Sequence, residues 1–231
     1  MNKIFPGIVS IVIFGVLFLL IGQEYHCAQG KVFHFSENNL AQKAKTATLN
    51  HRIPDFTGFA HYIESGRAID PDSLVKYILY YQTLVEFSPQ SPEAYELLGF
   101  CYYFQGSTDK AARAYQKAIE INPYYFWSYY NLGLLAYKER KFQLAANLLN
   151  KAVALNPELI LKIIATSKIY NQILSSVGDH EGTMKSSIPQ GYRDSYRLIT
   201  ASYYYSGKKE LGAKESAKDF ERLNTLSLKI F

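Results

Sequence analysis

Two cysteines in 231 residues, Cys27 and Cys101, leave no material for a disulfide framework or for a multi-cysteine zinc or iron–sulfur site. Charge is sparse too, at 19% of residues, and the net +5 is spread along the chain. No basic run exceeds two residues, Lys208-Lys209 among them, which excludes a nucleic-acid-binding stripe. The five histidines (26, 34, 51, 61 and 180) are scattered, with no two at i, i+4 on one helix. No H-E-x-x-H, C-x-x-C, G-x-S-x-G, phosphate-binding G-x-x-x-x-G-K-[ST] or dinucleotide-binding G-x-G-x-x-G is present. His26-Cys27 is too small a pair to complete a metal or haem site. The expectation is a chain that is not an enzyme, with no cofactor and no metal.

What fills the chain instead is apolar and aromatic. Hydrophobic residues make up 48%, with 20 Tyr and 14 Phe, enough apolar surface to offset the ordering entropy of a folded domain. Ile4–Gly22 holds nineteen residues without a charge, and only Ser10 is polar. As a helix it would span about 28 Å, close to the hydrocarbon thickness of a bilayer. A cleaved secretory signal is the rival reading. Its apolar region is usually shorter, and cleavage after Ala28 would put His26 where a small residue belongs. Residues 1–24 are therefore expected to be a transmembrane anchor. Lys3 lies on one side of it, and on the other only Lys31 falls within about twenty residues. That bias, a narrow one, places the bulk of the chain on the non-cytoplasmic side, periplasmic or extracytoplasmic. Residues 25–54 are polar and read as a juxtamembrane spacer, with one short helix capped by Ser36.

From residue 55 to 231 the organisation is repetitive. Residues 92–125 and 126–159 align without a gap at an offset of 34, with identical residues at ten positions. They include Tyr95/Tyr129, Leu98/Leu132, Gly99/Gly133, Ala111/Ala145, Ala118/Ala152 and Pro123/Pro157. A glycine inside a helix costs about 1 kcal/mol against alanine, tolerable where its missing side chain admits a second helix. Ala111 and Ala145 are the matching small residues on that second helix. Asn122-Pro123 and Asn156-Pro157 end each pair, because the residue before proline avoids the α region.

A 34-residue period with this pattern of small and large positions resembles the tetratricopeptide repeat family, whose unit is a helix–turn–helix. The family pattern falls on Tyr95, Leu98, Gly99, Tyr102, Ala111, Tyr115 and Pro123. It falls again on Tyr129, Leu132, Gly133, Ala136, Ala145, Leu149 and Pro157, with Ala136 replacing a tyrosine. The resemblance implies an all-α antiparallel helix-pair solenoid, here joined to one N-terminal transmembrane helix. Two units are too few for a stable array, and degenerate neighbours are expected to complete it. Upstream, Asp70-Pro71-Asp72 opens an apolar helix, and Phe56–Arg67 is its partner, with Glu64 and Ser65 where Leu and Gly belong. Downstream, Glu158–Ser176 reads as one long helix. The polar stretch from Gly178 to Gly191 reads as a loop or a very short helix. Tyr192–Tyr205 and Lys208–Leu226 read as a last hairpin around Ser206-Gly207, with an apolar stripe of Tyr196, Ile199, Tyr203, Leu211, Phe220 and Leu223.

In such arrays the first helices of successive units line a concave groove. By that resemblance the groove here would be formed by Glu93, Glu96, Phe100, Tyr103 and Phe104 of the first unit. The second would add Trp127, Tyr130, Asn131, Leu134, Tyr137 and Lys138. The carboxylate clamp of chaperone-binding members needs Lys, Asn and Arg on these faces, and this chain offers only Asn131. Its aromatic lining suits an apolar or amphipathic peptide instead. Tyr95, Tyr102, Tyr115 and Tyr129 are expected in the core, and Tyr124-Tyr125-Phe126-Trp127 holds too many rings for all to be buried. The functional expectation is a membrane-anchored, non-catalytic scaffold for a protein or peptide partner. The alternatives are a structural accessory subunit of a membrane machine (pilus, secretion or cytochrome-assembly complex), or a secreted soluble adaptor after signal cleavage.

Overall fold

A computed structural model of the chain describes residues 53–59, 62, 68–176, 180–215 and 218; of residues 180–189 it describes only the backbone. The expected anchor and spacer lie outside the described residues up to position 52, and so do Phe220 and Leu223. Among the described residues all regular structure is helical, and no helix is long and apolar enough to cross a membrane. Eight helices follow in order: α1 Pro71–Phe87, α2 Pro92–Phe104, α3 Thr108–Ile121, α4 Phe126–Lys138, α5 Phe142–Val153, α6 Pro157–Thr166, α7 Lys168–Leu174 and α8 His180–Tyr205. Helical backbone is also present at 57–59 and from 209 to 215.

The starts are written in capping chemistry. Asp70 accepts from the Ser73 amide at 2.9 Å ahead of Pro71, and Ser91 accepts from the Ala94 amide at 3.3 Å ahead of Pro92. Asn156 does the same for Glu158 at 2.9 Å, ahead of Pro157. Each side-chain oxygen satisfies an amide the helix cannot, and proline fits the first position where no amide is needed. Hydrogen bonds to its own first turn hold the Asp70 carboxyl below its ordinary range.

Helices α2 and α3 form one hairpin, α4 and α5 the next, and α3 packs on α4. The interior glycines act as expected. A Cβ on Gly99 would lie 2.7 Å from the Tyr115 ring and 3.2 Å from the Ala111 carbonyl; on Gly133 it would lie 2.6 Å from Leu149. Each hairpin turns through a residue in the left-handed region, Gly106 at φ 84° and Arg140 at φ 61°. The amides of Gly106 and Ser107 donate to the carbonyls of Tyr103 and Tyr102. Those of Arg140 and Lys141 donate to Tyr137 and Ala136 in the same way.

That turn occurs a third time. Gly207 has φ 81°, and the amides of Gly207 and Lys208 donate to Tyr204 and Tyr203. The C-terminal half of α8 and the helix from 209 are thus a third hairpin, and α8 packs against α5, where the next unit of the array belongs. Here the close-approach glycine sits on the second helix: a Cβ on Gly212 would meet the Thr200 carbonyl at 3.2 Å. Tyr196, Ile199 and Tyr203 of the expected stripe are buried, whereas Leu211 is 38% exposed.

Two expectations are corrected between residues 157 and 191. The single helix over Glu158–Ser176 is broken: Ser167, at ψ 119°, ends α6 and caps α7, its hydroxyl accepting from the Tyr170 amide at 3.4 Å. The stretch expected as a loop is helical from His180 onward. Gly191 there is a packing residue, since a Cβ on it would sit 2.6 Å from Trp127 and 2.8 Å from Phe126. The segment α6–α7 is an insertion between the second and third hairpins. It runs back toward the start of the array, where Tyr80 of α1 donates to Gln172 at 3.1 Å and α7 packs on α2.

Candidate functional site

The inner helices of the array are α2, α4 and α8, and the residues expected to line their groove fall into three groups. Phe100, Trp127, Tyr130 and Leu134 are buried. Phe100 stacks on Phe59 at 5.4 Å and meets Tyr62 at 6.0 Å, so it packs between the first described helical segment and α2. Trp127, only 2% exposed, meets Tyr130 and Phe126 edge-on and closes on Gly191 of α8, while Phe126 stacks on Tyr192 at 4.9 Å. These rings are the cement between successive inner helices. The expectation that they face a partner is corrected: each unit's inner helix turns them sideways into its neighbour.

Glu96 and Asn131 form the second group. They occupy the middle of α2 and α4, and both are buried. The Asn131 side-chain amide donates to Glu96 Oε1 at 3.2 Å, bridging the two units. Tyr170 of α7 covers the pair, its hydroxyl 3.5 Å from Glu96 Oε2 and its ring 6.5 Å from that of Tyr125. Burial pushes the Glu96 carboxyl up to about 8; the hydrogen bond from Tyr170 opposes the shift and nearby Glu93 adds to it. Burial therefore favours the uncharged form of this carboxyl. The floor of the inner face is thus a buried polar spot under α7.

The third group lies at the hairpin edge. Tyr103, Phe104 and Tyr137 are half-buried and Lys138 is exposed, and Lys138 reaches across to hydrogen-bond the Tyr103 hydroxyl and lie 4.7 Å over its ring. Glu93 is half-buried and accepts from Ser91 at 3.0 Å. Of the tyrosines expected in the core, Tyr115 is fully buried, whereas Tyr95, Tyr102 and Tyr129 are half-buried. Of the four-ring tract, only Tyr124 stands exposed, at 55%.

Sequence reasoning missed Tyr170 and Gln172, the residues that α7 lays over the inner face. Their signal was the Thr166-Ser167 pair, a capping sequence inside an apolar run. On the outer side, an open depression of about 750 Å³ lies between the α1–α2 turn and the end of α3, lined by Ser88–Glu93, Ile121 and Asn122. Among the described residues no three His, Cys, Asp or Glu side chains are grouped to hold a metal ion.

The repeat geometry agrees with comparison to known families. Residues 101–139 match the model for the TPR repeat, and residues 126–159 match that for the tetratricopeptide repeat. The centre of the chain therefore carries tetratricopeptide repeats, and the second match has the bounds of the second 34-residue unit. Two crystal structures of MamA are similar at 20% and 16% identity, covering 68% and 83% of this chain and 92% and 94% of theirs, each with a TM-score of 0.35. No curated protein matches the chain.

Proposed function

We propose that the chain is a membrane-anchored, non-catalytic scaffold that binds a segment of another protein across the inner face of its array. The observation that carries the reading is the stack of in-register tetratricopeptide hairpins, α2–α3 and α4–α5, extended by α8 and the helix after it. Such stacks present extended surfaces to partners, and nothing in the sequence pattern supplies convergent catalytic groups. In the structure the insertion α6–α7 occupies that inner face. The partner segment takes the place of α7 against α2 and α4, over Glu96 and Asn131, with Tyr103, Phe104 and Tyr137 at the rim. A buried polar floor and an aromatic rim suit an apolar or amphipathic helix rather than an acidic tail.

Anchoring rests on Ile4–Gly22, and the array lies on the non-cytoplasmic side by the charge bias about that segment. The test is co-purification of the full chain in mild detergent from its native membranes, then reconstitution of the two purified proteins. A stoichiometric complex in which residues 168–174 gain hydrogen-exchange rate supports displacement of α7. A complex that leaves their exchange unchanged puts the partner on another surface. Intact mass of the purified chain tests the anchor, since loss of about 2–3 kDa from the N-terminus means a cleaved signal.

A further inference from the structure

The hairpin tips of the second and third units stand side by side and carry the same chemistry. Tyr137 at the end of α4 meets Phe142 at the start of α5 at 5.6 Å and Tyr205 at the end of α8 at 6.3 Å. Phe142 stacks on Tyr205 at 5.2 Å, and Tyr204 extends the row. Tyr137 and Phe142 are half-buried, and Tyr204 and Tyr205 stand out from the core at 55% and 60% exposed. Around them the two turns supply Lys138, Arg140, Lys141, Lys208 and Lys209 against Glu139 and Glu210, and all seven side chains are exposed. Lys209 lies 5.1 Å over the Tyr204 ring, and Lys208 reaches across to hydrogen-bond Gln143 of the neighbouring hairpin. The opposite edge, formed by the turns between units, is different. Glu86, Glu93, Glu120 and Glu158 lie at those helix ends, and no Lys or Arg falls in the turns themselves. Apart from Glu93 they are exposed. The tips of the second and third hairpins are thus basic and aromatic, whereas the first tip, residues 105–109, is not. The opposite edge holds glutamates with Lys117 and Lys151 among them.

We infer that the tips of the second and third hairpins rest on an anionic lipid surface. Three observations select that occupant. The row sits on projecting tips, which touch a plane, whereas a peptide needs a groove. Tyrosines flanked by lysines are the chemistry of the headgroup layer, where the ring is half apolar and the cation meets lipid phosphate. The basic charge complements anionic headgroups, and on the other edge the lysines, Lys117 and Lys151, lie among glutamates, Lys117 paired with Glu120 at 3.4 Å. The inference rests partly on the proposed anchor: about thirty residues separate Gly22 from the first described residues, a tether that keeps the array close to the bilayer.

The experiment uses the full chain in vesicles of phosphatidylcholine alone, or with about 30% phosphatidylglycerol, and maps lysine acylation by mass spectrometry. In the anionic vesicles Lys141, Lys208 and Lys209 are expected to react several-fold more slowly than in the neutral ones. Lys76, Lys117 and Lys162 should not change, and 0.5 M salt should erase the difference. In the variant Lys208→Glu with Lys209→Glu, protection of Lys141 should also disappear. Equal reactivity of Lys141, Lys208 and Lys209 in both vesicles overturns the inference. Protection of the same lysines by an acidic peptide such as oligoglutamate, with none from anionic vesicles, also overturns it and assigns the edge to a protein. The anchor is scored separately: failure of the chain to float with pure phosphatidylcholine vesicles removes Ile4–Gly22 as a membrane segment, whatever the lysines do.

Discussion

Gly99, Gly133 and Gly191 look alike in sequence, yet their neighbours differ in how far they can yield. Alanine at any of them gains about 1 kcal/mol of helix propensity, and overpacking removes about 1–3 kcal/mol. At Gly133 the obstacle is Leu149, a flexible side chain; at Gly99 it is the Tyr115 ring together with a backbone carbonyl; at Gly191 it is two rings, Trp127 and Phe126. Thermal melting should therefore leave Gly133→Ala nearest the parent, with Gly99→Ala lower and Gly191→Ala lowest; any other order refutes this account of the contacts. Glu96 gives a pH prediction. Its carboxyl is raised to about 8 in the folded chain by burial, and Asp194 is raised to about 6 by burial against the pull of Gln190, Arg197 and Arg193. The folded state therefore holds protons that the unfolded chain releases near its ordinary carboxylate range, so stability falls as pH rises. Asp194 acts up to about pH 6 and Glu96 up to about pH 8. Between pH 6 and 8 the decline belongs to Glu96. Glu96→Gln, which keeps the bond to Asn131, should melt higher than the parent at pH 8 and show a flatter profile from 6 to 8. A parallel pair of profiles would mean Glu96 is charged in the fold.

At the scale of elements, the repeated turn offers the cleaner comparison. Gly106, Arg140 and Gly207 hold the same left-handed position, and only Arg140 carries a side chain there. An L-residue in that region costs roughly 1–2 kcal/mol, so Arg140→Gly should raise the melting temperature, offset in part by the greater freedom of glycine in the unfolded chain. No rise would mean that the Arg140 side chain makes compensating contacts. The insertion is the weaker element. Helix α7 has seven residues and leans on its Ser167 cap, and losing such a cap costs about 1 kcal/mol. Ser167→Ala should accelerate hydrogen exchange over 168–174 by roughly fivefold while global melting moves little, since short capped segments open locally. Uniform acceleration along the chain would show instead that α7 opens only with the whole fold. The units from Pro92 to Val153 were legible because period, glycine and proline recur together. The break at Ser167 was not, because it interrupts an apolar run without glycine or proline. Between Gly178 and Gly191 glycine suggests a break, although Gly191 is there to admit Trp127. The groove was half legible: spacing puts Phe100, Trp127 and Tyr130 on the inner helices. Whether each ring points outward or sideways depends on α7 and α8, which the period does not reach.

For the whole molecule, order in space departs from order in sequence. The third hairpin packs on the second, while the twenty residues from 157 to 176 between them cross back to α1 and α2. The array thereby covers its own inner face with α7 and leaves open its outer helices and its two edges, the basic part being the tips of the second and third hairpins. Which compartment those edges meet depends on the orientation of Ile4–Gly22. Under the positive-inside rule only lysines and arginines close to a span count. Here Lys3 precedes it, and Lys31 lies nine residues beyond Gly22. Acidic Glu24 contributes little to that rule. The balance favours a cytoplasmic amino end by proximity alone, and with so small a bias it should be easy to reverse. A periplasm-dependent reporter such as an alkaline phosphatase, fused after Phe231, should be active in the unmodified chain. Two lysines inserted after Gly22 would put three positive residues on the far side against one, and activity should drop while a cytoplasm-dependent reporter at the same point gains. If the unmodified fusion reports from the cytoplasm, the orientation is reversed and the basic tips meet the inner leaflet. If both fusions are silent to the added lysines and the chain stays in the soluble fraction, Ile4–Gly22 does not span the membrane at all.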